Sequence, residues 1–411
     1  MSSAAQGRRG EPLGGLGPTF HAIAVLTVGV LPVFMSGALA VQMEHDLHFG
    51  TASLGIAVAA FFAAGALCSA AAGHLSERLG PTRLMRASAL LAGGAMAGVA
   101  AAAHSWGELV AIMGVAGIAN GVSQPPINQF LAERVPAARQ GLAFGIKQAA
   151  IPLSTLLGGL SVPLVGLTVG WRWAFVGGAA LAIGVAARVP AAEPSVRGIV
   201  EPRPAARDPI RYAPLLVLGT AVALGTGAAN ALGAFLVAST VHVLRASAVH
   251  VAVAKGEAGL LAALGGAVGL AARLAAGAVG DRVRTRHFEV VAGMLAVGSL
   301  GYAFLASGTV WLLIPAAVIA YGAGWGWNGL FTFAVVRNHP GAPARATGIT
   351  QTGVYVGGVL GPLAFGLTAD RASFAAAWAG MAVAAVVAAA GIVVGRRMLA
   401  RGLAGETSGR T

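Results

Sequence analysis

Two basic residues stand where a cation is expensive. Lys147 lies in an apolar segment spanning roughly residues 141–166, and Arg273 lies in another near 255–277. Neither has an obvious carboxylate partner within its segment. A charged side chain at bilayer depth costs on the order of 3 kcal/mol or more, so it faces the interior of a helix bundle or a watery cavity. Two unpaired cations in such a cavity attract an anion. An arginine can hold a carboxylate through two parallel hydrogen bonds. The blander readings are that Lys147 snorkels to the nearer interface and that Arg273 pairs with Asp281 or a backbone carbonyl.

Neutral polar residues recur around these cations at helical spacing. Asn120, Gln124 and Asn128 fall at i, i+4 and i+8, on one face of a helix. Asn230 follows Thr226 by four residues, and Tyr355 follows Gln351 by four. Tyr321, Trp325, Asn328 and Thr332 share a face of another segment. Such stripes either line a substrate path or hydrogen-bond one helix to the next. We take Lys147, Arg273, Asn120, Gln124, Gln148, Asn230, Trp325, Asn328, Gln351 and Tyr355 as candidate substrate-binding residues. Pro125 and Pro126 interrupt their segment and are expected to bend it or free its carbonyls.

The elements that must position these residues are membrane helices. Charged residues make up 10% and hydrophobic residues 57% of 411, with a mean hydropathy of +0.78, whereas a soluble domain carries about 25% charged residues. Hydropathy predicts about twelve spans, near 19–42, 53–72, 84–104, 108–133, 141–166, 172–190, 212–238, 255–277, 288–307, 311–335, 347–368 and 374–395. The Pro-rich, charged stretch 191–211 separates two six-helix lobes, 19–190 and 212–395, and short tails, 1–18 and 396–411, flank them. The first span is expected to be retained rather than cleaved as a signal peptide. Of the 27 Lys and Arg, 21 fall on the side of the termini and the linker, 4 on the opposite side, and Lys147 and Arg273 inside spans. The positive-inside rule therefore places both termini in the cytoplasm. Because the net charge of +13 is spread in this way and no basic run is interleaved with aromatics, a nucleic-acid partner is not expected. The single cysteine, Cys68, excludes internal disulfides, and the scattered histidines suggest no metal site. With no Walker loop, direct drive by ATP is not expected.

The two halves also repeat. Gly145-Ile146-Lys147-Gln148 and Gly348-Ile349-Thr350-Gln351 open matching spans, and Asn120-Gly121 is loosely matched by Asn328-Gly329. Gly73-His74-Leu75-Ser76-Glu77-Arg78 is matched by Gly277-Ala278-Val279-Gly280-Asp281-Arg282. Internal repeats of this kind build carriers whose substrate site lies between the lobes. At the matched positions Lys147 is charged and Thr350 is neutral.

Gly73 to Arg83 resembles the loop signature of the major facilitator superfamily, with Glu77 where Asp is usual and Pro81-Thr82 where basic residues are common. The resemblance covers about 19–395. It implies a twelve-helix, two-lobed, all-α carrier fold with alternating access, with Gly73, Glu77, Arg78, Gly80, Arg83, Gly277, Asp281 and Arg282 acting as a gate on the cytoplasmic side. Trp171-Arg172-Trp173-Ala174-Phe175 resembles the family's start of the sixth span. The glycine–proline run of drug/proton antiporters is reduced to Pro152 and Gly158-Gly159 in the fifth span; a fuller version, Gly357 to Pro362, sits in the eleventh. The spacing of Arg273 and Asp281 is similar to that in oxalate/formate and monocarboxylate carriers, where the arginine contacts a carboxylate. The expectation is a monomeric secondary transporter of the plasma membrane, without cofactors or enzymatic activity. Its partners would be the lipid bilayer, a small-molecule substrate, more readily an organic anion, and a coupling proton. Efflux of an amphipathic compound is the alternative within transport, and a non-transporting receptor or scaffold the alternative outside it.

Overall fold

With no water in the bilayer core, each backbone N–H and C=O must be satisfied within the chain, and a helix does this segment by segment. A computed structural model describes residues 16–136, 143, 145–191, 211–282, 286–339 and 343–408, and among them there are helices and no strand. In chain order the helices are α1 Leu16–Ala38, α2 Ala40–Leu47, α3 Thr51–Leu79, α4 Pro81–Ala102, α5 Trp106–Arg134, α6 Ala150–Ser161 and α7 Trp171–Arg188. The second set is α8 Tyr212–Ala246, α9 Val251–Arg282, α10 His287–Ala306, α11 Leu313–Gly326, α12 Asn328–Asn338, α13 Pro343–Arg371 and α14 Phe374–Ser408. A π turn, Val162–Gly166, extends α6. Eleven stretches are long and apolar enough to cross a membrane. The other expected span, α7, is an 18-residue helix with Arg172 near its start and Arg188 at its end. The linker expected at 191–211 and the N-terminal tail lie largely outside the described residues.

Several helices outrun the expected spans. The motif from Gly73 forms the last turns of α3, not a free loop, and α14 continues through most of the expected tail. The α3–α4 turn depends on Gly80, whose φ of 86° a side-chain-bearing residue rarely adopts; its N–H bonds the Ser76 carbonyl, and Pro81 starts the next helix. The helix α5 runs unbroken through Pro125 and Pro126.

Within each lobe, glycines let backbones touch. A Cβ at Gly117 or Gly121 on α5 would stand 2.1 or 2.2 Å from the carbonyl oxygen of Phe61 or Gly65 on α3. On α13, Gly353 and Gly357 meet the carbonyls of Gly219 and Ala223 on α8 in the same way. Between lobes, the most extensive meetings among the described residues are of α3 with α13, α6 with α9, and α1 with α8. Gly37 lies against Ala234, Gly55 against Pro362, Gly366 against Thr51, Gly159 against Ala263, and Gly266 against Leu156. Most of these contacts lie toward the face opposite the termini, called the far face below. Farther along the α3 stripe, an added Cβ at Gly73 meets nothing within 4 Å.

Candidate functional site

The centre of the site is the turn that starts α6. Gln148 and Ala149 form a turn, with the N–H of Gln148 bonded to Gly145 and that of Ala149 to Ile146, three residues back in each case. In a regular helix the Gln148 carbonyl would accept from the N–H of residue 152. That residue is Pro152, which has no N–H to give. The donor comes instead from the other lobe, where Arg273 Nη1 on α9 bonds the Gln148 carbonyl. Arg273 is only 6% exposed, and its Nη2 is buried with no partner among the described residues. A carbonyl partner for one nitrogen of Arg273 is one of the two sequence readings; the other, Asp281, has side-chain surroundings outside the described residues.

Lys147, next in the chain, turns back into its own lobe. Its Nζ donates to Gln124 Oε1 at 3.0 Å and Asn128 Oδ1 at 2.7 Å on α5. These two amides belong to the i, i+4 stripe read from the sequence. Lys147 is 4% exposed and no described carboxylate pairs with it, so its charge is solvated by amides but not neutralised. The turn that precedes α6 thus carries Lys147 and, on the next residue, the carbonyl that Arg273 holds. The repeat mate Thr350 is also buried, and its hydroxyl donates within its own helix, to the Ala346 and Thr347 carbonyls.

The other side of the pseudo-symmetric pair is neutral. Ser69 on α3 occupies the position that repeats Arg273, and Tyr355 on α13 the position that repeats Pro152. Tyr355 lies within side-chain hydrogen-bonding reach of Ser69. Gln351, one turn toward the termini, is exposed, whereas Gln148 is half-buried. Trp325 is buried and packs at 5.5 Å from the ring of Phe34 across the lobes and 5.4 Å from Tyr321 in its own.

Three candidates lie apart from this cluster. Asn120 is buried beside Gly29 and Gly65, where α5 meets α1 and α3. Asn230 donates to the Thr226 carbonyl of its own helix. Asn328 begins α12, and its carbonyl accepts from Thr332. Two hollows, about 200 and 530 Å³, lie near the far face of the C-terminal lobe, beside His242 and Trp378 and beside Glu257 and Leu260. Neither is lined by Lys147 or Arg273.

A two-lobed helical bundle with a broken helix at the lobe interface, one buried cation beside the break and another bonded to its freed carbonyl, is carrier architecture. The family model of the Major Facilitator Superfamily matches residues 22–362. The chain belongs to the major facilitator superfamily. Solved structures agree on the fold of this superfamily member. A D-xylose–proton symporter aligns with TM-score 0.72 at 18% identity, covering 92% of this chain and 97% of that one. The nucleoside transporter NupG aligns with TM-score 0.71 at 15% identity, covering 92% and 99%. A bacterial homolog of the human lysosomal transporter Spinster, inward-facing and occupied, aligns with TM-score 0.69 at 17% identity, covering 95% and 97%. No curated protein sequence matches the chain. The superfamily fold supports secondary transport by alternating access.

The superfamily's signature residues fall at helix ends. Glu77, Arg78 and Arg83 are exposed at the α3–α4 corner. Ser76 bonds Gln129, which bonds Glu133, joining that corner to α5. Gly277, Asp281 and Arg282 lie in the last turns of α9, and their side-chain surroundings lie outside the described residues. At the far face the sequence left several roles unread. Asp370 Oδ2 accepts from the Ala52 N–H at 3.0 Å, so the end of α13 caps the start of α3 across the lobes. Arg172 donates to the Ala100 and Ala103 carbonyls, capping α4 at its C-terminal end. The indole N–H of Trp171 bonds Asp46 and, aided by His45 and Arg172, holds its carboxyl below the usual carboxylate range against the opposing effect of burial. This accounts for the Trp-Arg pair that begins the sixth span.

Proposed function

We propose that the protein is a monomeric secondary carrier of a small organic anion, working by alternating access with both termini in the cytoplasm. The observation that carries the reading is the buried Nη2 of Arg273 between the lobes, which has no partner among the described residues. A guanidinium donor left without an acceptor in a dry interior is costly. A ligand oxygen would satisfy it, and a carboxylate would do so with a matching charge. Lys147 supplies a second positive charge one residue from the peptide carbonyl that Arg273 holds.

Ligand-induced thermal stabilisation of the purified protein tests this with acetate, oxalate, succinate and the lipophilic cation tetraphenylphosphonium. A small carboxylate is expected to stabilise the wild type. Arg273→Gln and Lys147→Gln are each expected to lose about 1.5–3 kcal/mol of its binding, roughly ten- to a hundredfold. Arg273→Lys should not restore it fully, because an ammonium lacks the planar fork. Stabilisation by the cation alone, unchanged in both neutral variants, would reject the anion reading.

The orientation has its own test. In a Cys68→Ala background, an impermeant maleimide added outside intact cells should label a cysteine at Ser247 and miss one at Ser195. The reverse pattern would invert the topology.

A further inference from the structure

Pro152 lies five residues after Lys147, on the helix that packs against Arg273's helix across the lobes. Its importance is the hydrogen bond it cannot make. Because it has no N–H, the Gln148 carbonyl is left without a helical donor at the lobe interface. Arg273, across that interface, supplies one. Around the bond the helices touch closely: a Cβ at Gly266 on α9 would lie 2.7 Å from the Pro152 carbonyl oxygen, and one at Gly269 would lie 3.3 Å from Pro152 Cβ. The repeat position in the other lobe is Tyr355, whose backbone N–H is available to the Gln351 carbonyl. The device therefore exists on one side of the pseudo-twofold only.

We propose that Pro152 is a positioning residue that makes the Gln148 carbonyl a resting acceptor for Arg273, a latch between the lobes that an anionic ligand must displace. The part concerning the ligand rests on the function proposed above; the latch itself does not. In the ligand-free protein, one guanidinium nitrogen holds the opposite lobe. When a carboxylate arrives, the guanidinium turns its paired donors to it and releases the carbonyl. Occupancy and lobe movement are then linked, because the same donor cannot serve both acceptors in full. A ligand shifts such an equilibrium only by its differential affinity for the two arrangements, and loss of the latch is the differential here.

Pro152→Ala tests this directly. Alanine restores an N–H at position 152, and the Gln148 carbonyl gains a donor within its own helix. Spin labels at Leu79 and Val336, one in each lobe and both exposed, report lobe separation in a Cys68→Ala background by pulsed electron resonance. Without ligand, Pro152→Ala and Arg273→Gln should each shift the distance distribution toward wider separation, about tenfold in the ratio of states. The double variant should shift no further than either alone, as expected for two ends of one interaction. An unchanged distribution in Pro152→Ala, or fully additive shifts in the double variant, would overturn the latch. The ligand arm uses acetate, oxalate and succinate as probes. Whichever carboxylate binds the wild type should bind Pro152→Ala about tenfold more tightly, because the guanidinium no longer has to leave the carbonyl. Equal affinity for both proteins would overturn the displacement step. If these carboxylates bind neither protein while the ligand-free shift persists, the function proposed above fails and the latch stands.

Discussion

Gly159→Ala should leave the protein folded and bring transport nearly to a halt. The new Cβ would stand 2.4 Å from the Ala263 backbone nitrogen, 2.7 Å from the Gly259 carbonyl oxygen and 2.9 Å from the Ala263 Cα. All three atoms are backbone, so no rotamer change relieves the clash. They belong to α9, in the opposite lobe, so the relief available is to move the lobes apart. Overpacking of this kind costs about 1–3 kcal/mol or more. As a bias between two states, that is a shift of roughly 5–150-fold, directed against the state in which the far face is closed. Val162, 1% exposed and packed on Gly259, reports the change. A cysteine there, in the Cys68→Ala background, should be protected in the otherwise native protein and react readily with a polar maleimide in Gly159→Ala. Continued protection with normal turnover would mean that the lobes do not close along α6 and α9 during the cycle.

The same substitution inside a lobe has a different outcome. In Gly121→Ala the new Cβ would lie 2.2 Å from the Gly65 carbonyl oxygen and 2.8 Å from its Cα, at the crossing of α5 and α3. These helices also carry Asn120, Gln124, Asn128 and the far-face start of α3, and there is no lobe boundary to open. The clash must be taken up by the packing of the N-terminal lobe, at a cost above the ~1–3 kcal/mol of ordinary overpacking. The expected result is a large fall in folded yield and in melting temperature in detergent. Gly114→Ala, on the same helix, is the control: its Cβ meets nothing within 4 Å, and alanine favours a helix by about 1 kcal/mol over glycine. Equal melting temperatures for the two variants would show that the crossing is looser than its geometry.

Why two glycines of one type should differ was not legible in the sequence. Gly121 and Gly159 look alike there, and only the packing assigns one to an intra-lobe crossing and the other to a moving surface. The spans and the two-lobed repeat were legible, because hydropathy and the matched motifs are properties of the chain itself. Helix ends were less so: the signature from Gly73 reads as a loop for its charge, yet a helix projecting beyond the apolar slab carries the same charges on its last turns. Lys147 and Arg273 were found by the cost of burying charge, and the Gln124–Asn128 stripe proved to be the amides that hold Lys147. Asn120 shares that stripe's periodicity but turns to the α3 crossing, since periodicity gives a shared face and not the neighbour it meets. The role of Pro152 was written in the sequence as a proline four residues after Gln148. What it lacked was a reason to ask which group takes the freed carbonyl, and that answer comes from 125 residues away.

Counterflow into liposomes containing the purified protein tests the central claim most directly. Vesicles are loaded with an unlabelled small carboxylate from the binding panel, and uptake of its labelled form is followed, with tetraphenylphosphonium measured in parallel. The account predicts accumulation of the carboxylate by the wild type, a loss of at least about tenfold in Arg273→Gln as a charge-assisted contact is removed, and no protein-dependent movement of the cation. Protein-dependent movement of the cation at a rate that Arg273→Gln leaves unchanged, with no exchange of any carboxylate, would contradict it.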